Sequence, residues 1–147
     1  MSSSRPFVGI AVFVVNPVQH PGCVLLSERL SSHGQGSYQL PGGHLEYGES
    51  FEECAQRELF EETNLHSTIF QLIYVTNSIF QEQSKHYVTL FLRTIVDDDS
   101  ELKCMEPEKN SPWIWTKWED LKSMKLFQPL RNAVDDHNFN PFSNNHI

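Results

Sequence analysis

The sequence predicts an α/β domain in which a mixed β-sheet lies between helices. Apolar and β-branched runs typical of strands precede a strong helix signal and return after it, and a second helix signal follows near the C-terminus. The chain of 147 residues is long enough to bury one core, and no repeat or linker divides it, so we expect one domain over residues 1–147. Hydrophobic residues make up 39% and charged residues 20%, a composition typical of folded globular proteins.

The N-terminal third of the sequence is typical of strands joined by turns. The apolar run from Phe7 to Val15 predicts a buried first strand, because it is too short to span a membrane and no small-residue signal cleavage site follows it. A second short strand is predicted at Cys23–Glu28, after a cluster of turn-forming residues. Residues 30–37 (LSSHGQGS) are typical of a mobile loop, and Tyr38–Leu40 can pair briefly before Pro41.

A helix is predicted from Ser50 to Asn64. Ser50 and Glu53 form a capping box, in which each side chain satisfies a free amide at the helix start. Asn64 tolerates the left-handed conformation that commonly ends a helix. With successive residues rotated by about 100°, one face carries the apolar side chains expected to pack on the core: Phe51, Cys54, Ala55 and Leu59.

After this helix the pattern returns to strands and ends in a second helix. The predicted elements are strands at Ile69–Ile79, His86–Val96 and Ser111–Trp115, a short helix at Trp118–Leu121, and a last helix at Phe127–Asp136. Pro129 is tolerated in the first turn of that last helix. The Asn-rich tail after Asn138 is expected to be irregular and to fray.

The region around the first predicted helix is strongly acidic. Gly42–Leu65 contains seven glutamates against one basic residue, Arg57. Glu52 and Glu53 fit a solvated first turn, where the helix dipole favours negative charge. Arg57 is predicted on the same solvent face.

Three other glutamates do not fit a solvated surface. Glu58 and Glu62 lie on the core face near the carboxyl end, where the dipole disfavours anions, and as an i,i+4 pair they repel each other. Glu61 borders that face. Hard oxygen ligands beside the glycines at residues 42 and 43 suit Mg²⁺, or Mn²⁺ in its place, with substrate phosphates completing the shell. The sequence therefore predicts a metal and phosphate site.

The spacing of these residues resembles the Nudix box, the signature of the Nudix hydrolases. Gly43 is followed after five residues by Glu49 and, after seven more, by Arg57-Glu58-Leu59, one variable position and Glu61-Glu62. The family pattern then has a glycine where this chain has Asn64, a departure that leaves every carboxylate in place. Similarity to the small MutT-like nucleoside triphosphate diphosphatases extends over residues 23–58 and 86–115, most of the chain.

The resemblance implies a Nudix-type α/β/α sandwich with a mixed sheet. It also implies a Mg²⁺-dependent enzyme that hydrolyses a dGTP-like, modified or analogue nucleoside triphosphate to the monophosphate and diphosphate. Glu58 and Glu62 are the implied principal metal ligands, joined by Glu61 and by a backbone carbonyl at Gly42 or Gly43, where glycine lets the chain approach the ion closely.

The resemblance further implies that one of the box glutamates is the catalytic base, and the sequence does not separate base from ligand. Glu49 is expected to orient Arg57 or the loop. Arg57 itself either acts directly or orients Glu61, four residues away. Glu106 or Glu108 is a candidate for a further carboxylate, because similar enzymes draw one from the sheet side; a plain loop is the alternative.

A substrate pocket is expected outside the box. Arg29 lies where similar enzymes contact the phosphates or the sugar, and a surface arginine is an equal alternative. A base pocket is apolar with a few polar groups. The candidate substrate-binding residues besides Arg29 are Gln39, Gly43, Thr89, Phe127 and Leu130, with core packing as the alternative for the aromatic and aliphatic ones. Gln128 and Pro129 replace the Trp-Gly of similar diphosphatases, which leaves base preference open.

The bulk properties limit the partners of the chain. A net charge of −8 disfavours binding to duplex nucleic acid, because affinity for polyanions depends on clustered Lys and Arg. Three cysteines without CxxC spacing indicate reduced thiols and a cytoplasmic protein, and no membrane segment is expected. The resemblance implies a homodimer that acts on a small nucleotide.

Two alternatives to this triphosphate hydrolase remain open. One is a hydrolase of another nucleoside diphosphate derivative or of dihydroneopterin triphosphate. The other is a Nudix-like module that binds nucleotides with little or no turnover, against which the intact Arg57-Glu58 and Glu61-Glu62 pairs argue. A structural acidic domain would leave the carboxylates on the core face unexplained.

Overall fold

A computed structural model describes residues 5–143 of the chain. This part contains strands β1 (Phe7–Val15), β2 (Cys23–Glu28), β3 (Tyr38–Gln39), β4 (Gly42–His44), β5 (Gln71–Phe80), β6 (Lys85–Ile95) and β7 (Ile114–Lys117), helices α1 (Phe51–Thr63) and α2 (Gln128–Asp135), and a 3-10 helix at Trp118–Ser123. Most of these elements lie within a few residues of their predicted positions.

A central mixed sheet has the strand order β4-β1-β6-β5. β1 pairs in parallel with β6 and antiparallel with β4, and β5 pairs antiparallel with β6. Successive side chains of a strand point to opposite faces, so Ile10, Val12 and Val14 pack in one core with α1, whereas Phe13 and Val15 pack in a second core with α2. The sheet is therefore covered on both faces, which confirms the predicted α/β fold class.

A smaller antiparallel sheet has the order β3-β2-β7. The strand predicted at Ser111–Trp115 begins three residues later than predicted, because the residues that pair with β2 are Ile114–Lys117. Pro112 lacks an amide hydrogen for a ladder. The Trp113 side chain is instead buried, and its indole nitrogen donates to the backbone oxygen of Glu62, 2.9 Å away.

Helix α1 has the predicted ends. The Glu53 amide donates to Ser50 Oγ at 3.0 Å and the Ser50 amide donates to Glu53 Oε1 at 2.8 Å, which completes the capping box. Asn64 closes the helix in the left-handed region with φ 65°. Phe51, predicted in the core, is 39% exposed, because the first residue of the helix lies beyond the packed cluster, whose nearest helical member is Cys54.

The C-terminal segment is irregular, as expected, but it does not fray within the described residues. The Phe139 ring packs against Tyr74, with ring centroids 4.4 Å apart. Nη1 of Arg93 donates to the backbone oxygens of Pro141 at 2.8 Å and Ser143 at 2.7 Å. The buried guanidinium needs acceptors, and these carbonyls supply them. Residues 144–147 of the predicted tail lie outside the described range.

All three cysteines lie among the described residues. Cys23, Cys54 and Cys104 are free thiols, as the sequence predicted. Among residues 5–143, no helix has the length and apolar character needed to cross a membrane.

Candidate active site

Strand β4 brings two glycines against the carboxylates of α1. Gly42 is paired with Ala11 of β1, and its amide donates to Glu62 Oε2 at 3.1 Å. A methyl group at Gly43 would lie 2.5 Å from both carboxylate oxygens of Glu58. Any larger residue would have to displace that carboxylate. The glycines thus set how closely the chain and the two glutamates can approach.

Glu58 and Glu62 form a close pair of carboxylates. Glu62 is only 7% exposed, and this burial raises the pKa of its carboxyl well above the usual value. The neighbouring Glu58 raises the pKa further by hydrogen bonding and by its charge, and these effects outweigh the Gly42 amide. Glu62 therefore needs either a proton or an added cation to be stable in this position.

Arg57 connects the glutamates of the helix and the preceding loop. Its Nε and Nη2 donate to the two oxygens of Glu49 at 2.7 and 3.0 Å. Its Nη1 donates to Glu58 Oε1 at 2.8 Å and to Glu61 Oε1 at 3.2 Å. The side chain is 29% exposed, so the prediction that it points to solvent is wrong: neighbouring carboxylates draw it back over the helix.

The contact with Arg57 also fixes the charge of Glu49. Hydrogen bonding from the guanidinium lowers the pKa of the Glu49 carboxyl to about 2, and the same contact raises the pKa of Arg57. Glu49 Oε1 accepts a further hydrogen bond from the Glu46 amide at 2.9 Å. Glu49 thus orients both Arg57 and the loop, the two roles between which the sequence did not decide.

A cavity of about 270 Å³ lies beside the glycines. Its walls are mainly apolar and come from β1, β6, the segment before α1 and the start of α2. All six predicted substrate-binding residues line it: Arg29, Gln39, Gly43, Thr89, Phe127 and Leu130. Gly43 belongs both to this wall and to the contact with Glu58, so the cavity and the carboxylate pair adjoin the same glycine.

Arg29 is built into the cavity wall. Its Nε donates to the backbone oxygen of His33 at 2.8 Å, and its Nη1 donates to Gln39 Oε1 at 2.5 Å. The guanidinium carbon lies 4.2 Å from the centroid of the Phe127 ring, a cation–π contact. Burial lowers the pKa of Arg29. The alternative of an ordinary surface arginine does not fit these contacts.

Comparison with known proteins assigns the family. A sequence model of the NUDIX domain matches residues 5–137. The chain belongs to the Nudix family. Members of this family hydrolyse nucleoside diphosphate derivatives. The paired glutamates and the cavity are therefore features of a Nudix hydrolase domain.

Individual relatives differ in their named substrates. An RNA pyrophosphohydrolase of Erythrobacter litoralis is 25% identical over 130 residues, 77% of each protein. An ADP-ribose pyrophosphatase of Methanocaldococcus jannaschii is 30% identical over 108 residues, which cover 73% of this chain and 63% of that protein. Among solved structures, a MutT NUDIX hydrolase from Burkholderia pseudomallei superposes with a TM-score of 0.79 at 25% identity, over 90% of this chain and 98% of that one.

The Nudix box glutamates are only partly assembled as a metal site. Glu58 and Glu62 adjoin each other, whereas Glu61 is 52% exposed on its side chain and turns toward Arg57. Within residues 5–143, no group of three or more His, Cys, Asp or Glu side chains is arranged to hold a metal ion. The two adjoining carboxylates still fit Mg²⁺, which commonly binds one or two carboxylates and completes its shell with water and phosphate.

Glu106 and Glu108 differ in their relation to this pair. Glu106 accepts a hydrogen bond from Lys109 at 3.3 Å, and its charge contributes to the raised pKa of Glu62. Glu108 is exposed and fits the plain loop. Glu106 is therefore close enough to the Nudix carboxylates to influence them.

Sequence reasoning missed three residues with polar side chains that line the cavity: His33, His44 and Tyr87. Nε2 of His44 and the Tyr87 hydroxyl lie 3.0 Å apart, within hydrogen-bonding distance. Tyr87 was detectable, because it stands two residues before Thr89 on β6 and therefore faces the same side. His33 carries no such signal, since a single histidine in a Gly/Ser-rich loop has no periodicity.

Proposed function

We propose that this Nudix hydrolase cleaves a nucleoside triphosphate between the α and β phosphates and releases diphosphate. The observation that carries the proposal is the position of Gly43, which lines the cavity and lies directly against the Glu58 carboxylate. A base and sugar in the cavity would place the phosphate chain beside Glu58 and Glu62. The approximate volume of 270 Å³ lies just below the range of about 300–1,000 Å³ for small-molecule sites, which favours one nucleoside over a dinucleotide.

In this proposal Glu58 and Glu62 hold Mg²⁺, or Mn²⁺ in its place, together with a backbone carbonyl of Gly42 or Gly43. A divalent cation there supplies a more acidic bound water and neutralises charge on the phosphoryl oxygens. Glu61 completes the ligand set after it is released from Arg57.

The chain's own residues position the reactants. Arg57 orients Glu58 and holds Glu61 before a cation binds, and Glu49 fixes Arg57 by two hydrogen bonds. One of Glu58, Glu61 and Glu62 takes the proton of the attacking water. Arg29 and Phe127 form the wall against which the nucleoside lies.

The proposal is tested with purified protein and a panel of substrates in Mg²⁺ or Mn²⁺. The panel includes dGTP, the other nucleoside triphosphates, modified and analogue triphosphates, dihydroneopterin triphosphate, 5′-triphosphorylated RNA and ADP-ribose. Enzymatic detection of diphosphate, with chromatography of the nucleotide product, identifies both the bond and the substrate. We expect diphosphate and a nucleoside monophosphate, and Glu62→Gln is expected to abolish turnover with the fold intact.

Other products would select among the alternatives. If the protein hydrolysed ADP-ribose but no triphosphate, the proposed substrate would become a nucleoside diphosphate derivative. Nucleotide binding without any turnover would favour the binding module, to which the displaced position of Glu61 lends some support.

We also propose a homodimer in the cytoplasm. β5 is an edge strand of the central sheet and exposes Val75 and Ile79, and exposed apolar edges tend to be covered by another chain. Sedimentation at micromolar concentration tests the dimer, and a monomer there would refute it. The free thiols agree with a reducing compartment.

A further inference from the structure

The loop from Leu30 to Ser37 contributes His33 to the cavity wall. The Arg29 amide donates to the Ser37 carbonyl at 2.8 Å, and the Gly36 amide donates to the Arg29 carbonyl at 2.9 Å. Gly34 has φ 72°, and a methyl group there would lie 2.8 Å from carbon atoms of the Phe127 ring. The loop is therefore folded tightly against the cavity wall, although its composition is typical of a mobile segment.

His33 is the cavity-lining residue at the centre of this loop. Its ring meets Phe80 edge-on at 4.8 Å and Phe127 edge-on at 5.4 Å between centroids. Both ring nitrogens are buried, and among residues 5–143 neither has a hydrogen-bond partner. Buried polar atoms are nearly always paired in folded proteins, so two such atoms on one ring call for an explanation.

The surroundings of the imidazole favour its neutral form. Burial lowers its pKa, and the positive charges of Lys85 and Arg29 lower it further. A neutral imidazole carries one N–H donor and one acceptor nitrogen. It therefore suits a neutral polar ligand better than a phosphate, which needs donors or positive charge.

Unlike the His33 nitrogens, several other polar groups of the cavity already have hydrogen-bond partners in the protein. Nε, Nη1 and Nη2 of Arg29 all donate to protein oxygens, and Gln39 Oε1 accepts one of these bonds. The Gln39 amide NH₂ and the Thr89 hydroxyl thus remain to orient a ligand, together with His33. Apolar walls with a few such groups are typical of sites that recognise a planar heterocycle by its edge.

We propose that His33 is a specificity-determining residue that hydrogen-bonds the heterocycle of the bound nucleotide. It favours bases with a polar group on the edge facing residues 30–37 over bases that present only C–H there. A site built to hydrogen-bond a ligand rejects the analogue that lacks the partner group, because the buried polar atom is then left unpaired. This inference rests on one part of the proposed function, the binding of a nucleotide in the cavity, and does not depend on which bond is hydrolysed.

The test measures binding without turnover. Calorimetry gives the Kd of AMP, GMP, CMP, UMP and purine riboside 5′-monophosphate, which lacks exocyclic groups, for the wild type, His33→Phe and His33→Gln. We expect at least one natural base to bind the wild type about tenfold tighter than the unsubstituted purine. His33→Phe keeps the aromatic packing and should reduce that preference roughly three- to tenfold by weakening only the polar base, the amount expected for one lost hydrogen bond. His33→Gln should retain part of the preference.

His66→Phe is the matched control, because His66 is exposed, stacks on Phe60 and does not line the cavity. It should leave every Kd unchanged. Thermal melting establishes whether each variant is folded. If His33→Phe does not fold, the comparison of His33→Gln with the wild type provides the test.

The inference fails if the wild type does not prefer any natural base or binds none of the monophosphates. It also fails if the His33 variants weaken all ligands equally, including inorganic diphosphate, since that would show a packing or phosphate role. Absence of diphosphate release from the triphosphate panel would refute the proposed reaction but not this result, so the two can fail separately.

Discussion

The carboxylate of Glu58 leaves no space for a side chain at Gly43. We expect Gly43→Ala to displace Glu58 and to lower kcat roughly a hundredfold, the size of effect reported for misplacing a reacting group by about 1 Å. The free energy of unfolding should fall by about 1–3 kcal/mol through overpacking. Gly22→Ala is the control: its φ of 76° is strained for alanine, but a methyl there meets nothing within 4 Å. It should lower stability and keep kcat, and a Gly43→Ala enzyme with wild-type kcat would contradict the close contact.

The Glu49–Arg57 contact predicts a dependence of stability on pH. The pKa of Glu49 falls from an ordinary value of 4.5 to about 2 in the folded state. A lowered carboxyl pKa stabilises the fold fully above the unfolded value and ceases to do so as pH falls through the folded value. Glu49→Gln should therefore cost about 1–2 kcal/mol at pH 7, an amount typical of charge-assisted hydrogen bonds, and the difference from wild type should shrink between pH 4.5 and 2.

Urea unfolding at pH 7, 5 and 3 measures that difference. Glu52→Gln, on the exposed first turn of α1, should change stability by less than about 0.5 kcal/mol at every pH. A Glu49→Gln deficit that is equally large at pH 3 would show that the contact is not electrostatic.

At the scale of elements, helix α1 ends on a residue that departs from the Nudix pattern. Asn64 adopts the left-handed conformation, and its Nδ2 donates to the Glu101 carbonyl at 2.9 Å. Asn64→Ala loses this bond and strains the backbone, so it should cost about 1–2 kcal/mol. Asn64→Gly loses the bond but relieves the strain, so it should stay within about 0.5 kcal/mol of wild type. Equal stabilities of the two variants in urea would contradict this account of the helix end.

Local chemistry explains which elements the sequence predicted correctly. The capping box and Asn64 determine both ends of α1 through contacts within a few residues, so they could be identified without a structure. The position of β7 depends instead on pairing with β2, about ninety residues earlier. The anchored segment at Pro141 likewise depends on the distant Arg93. These two segments were predicted wrongly because distant partners, not the local pattern, set their positions.

At the scale of the whole molecule, the site combines a local motif with a non-local cavity. The Nudix box gave the carboxylates, their partner Arg57 and the glycines, because helical spacing groups the charged residues and the glycines precede them at a fixed distance in the motif. Resemblance added the cavity residues from Arg29 to Leu130, which lie far apart in the chain. Neither source indicated that Arg57 turns Glu61 away from its neighbours or that His33 is buried without a partner, because both depend on side-chain packing.

A Glu58–Glu62 pair in a protein of net charge −8 predicts that a divalent cation stabilises the whole fold. Binding to the native state alone adds about 2.7 kcal/mol at one hundred times the Kd, which should raise the Tm of a chain this size by about 5–10 °C. Glu62→Gln removes the like-charge pair, so without Mg²⁺ it should match or exceed the wild type in stability. With Mg²⁺ its Tm should not rise.

Scanning calorimetry with and without Mg²⁺ measures both effects on Tm. Glu108→Gln, on the exposed loop, is the control and should show the full rise in Tm with Mg²⁺. An equal rise in Glu62→Gln would place the cation away from the pair.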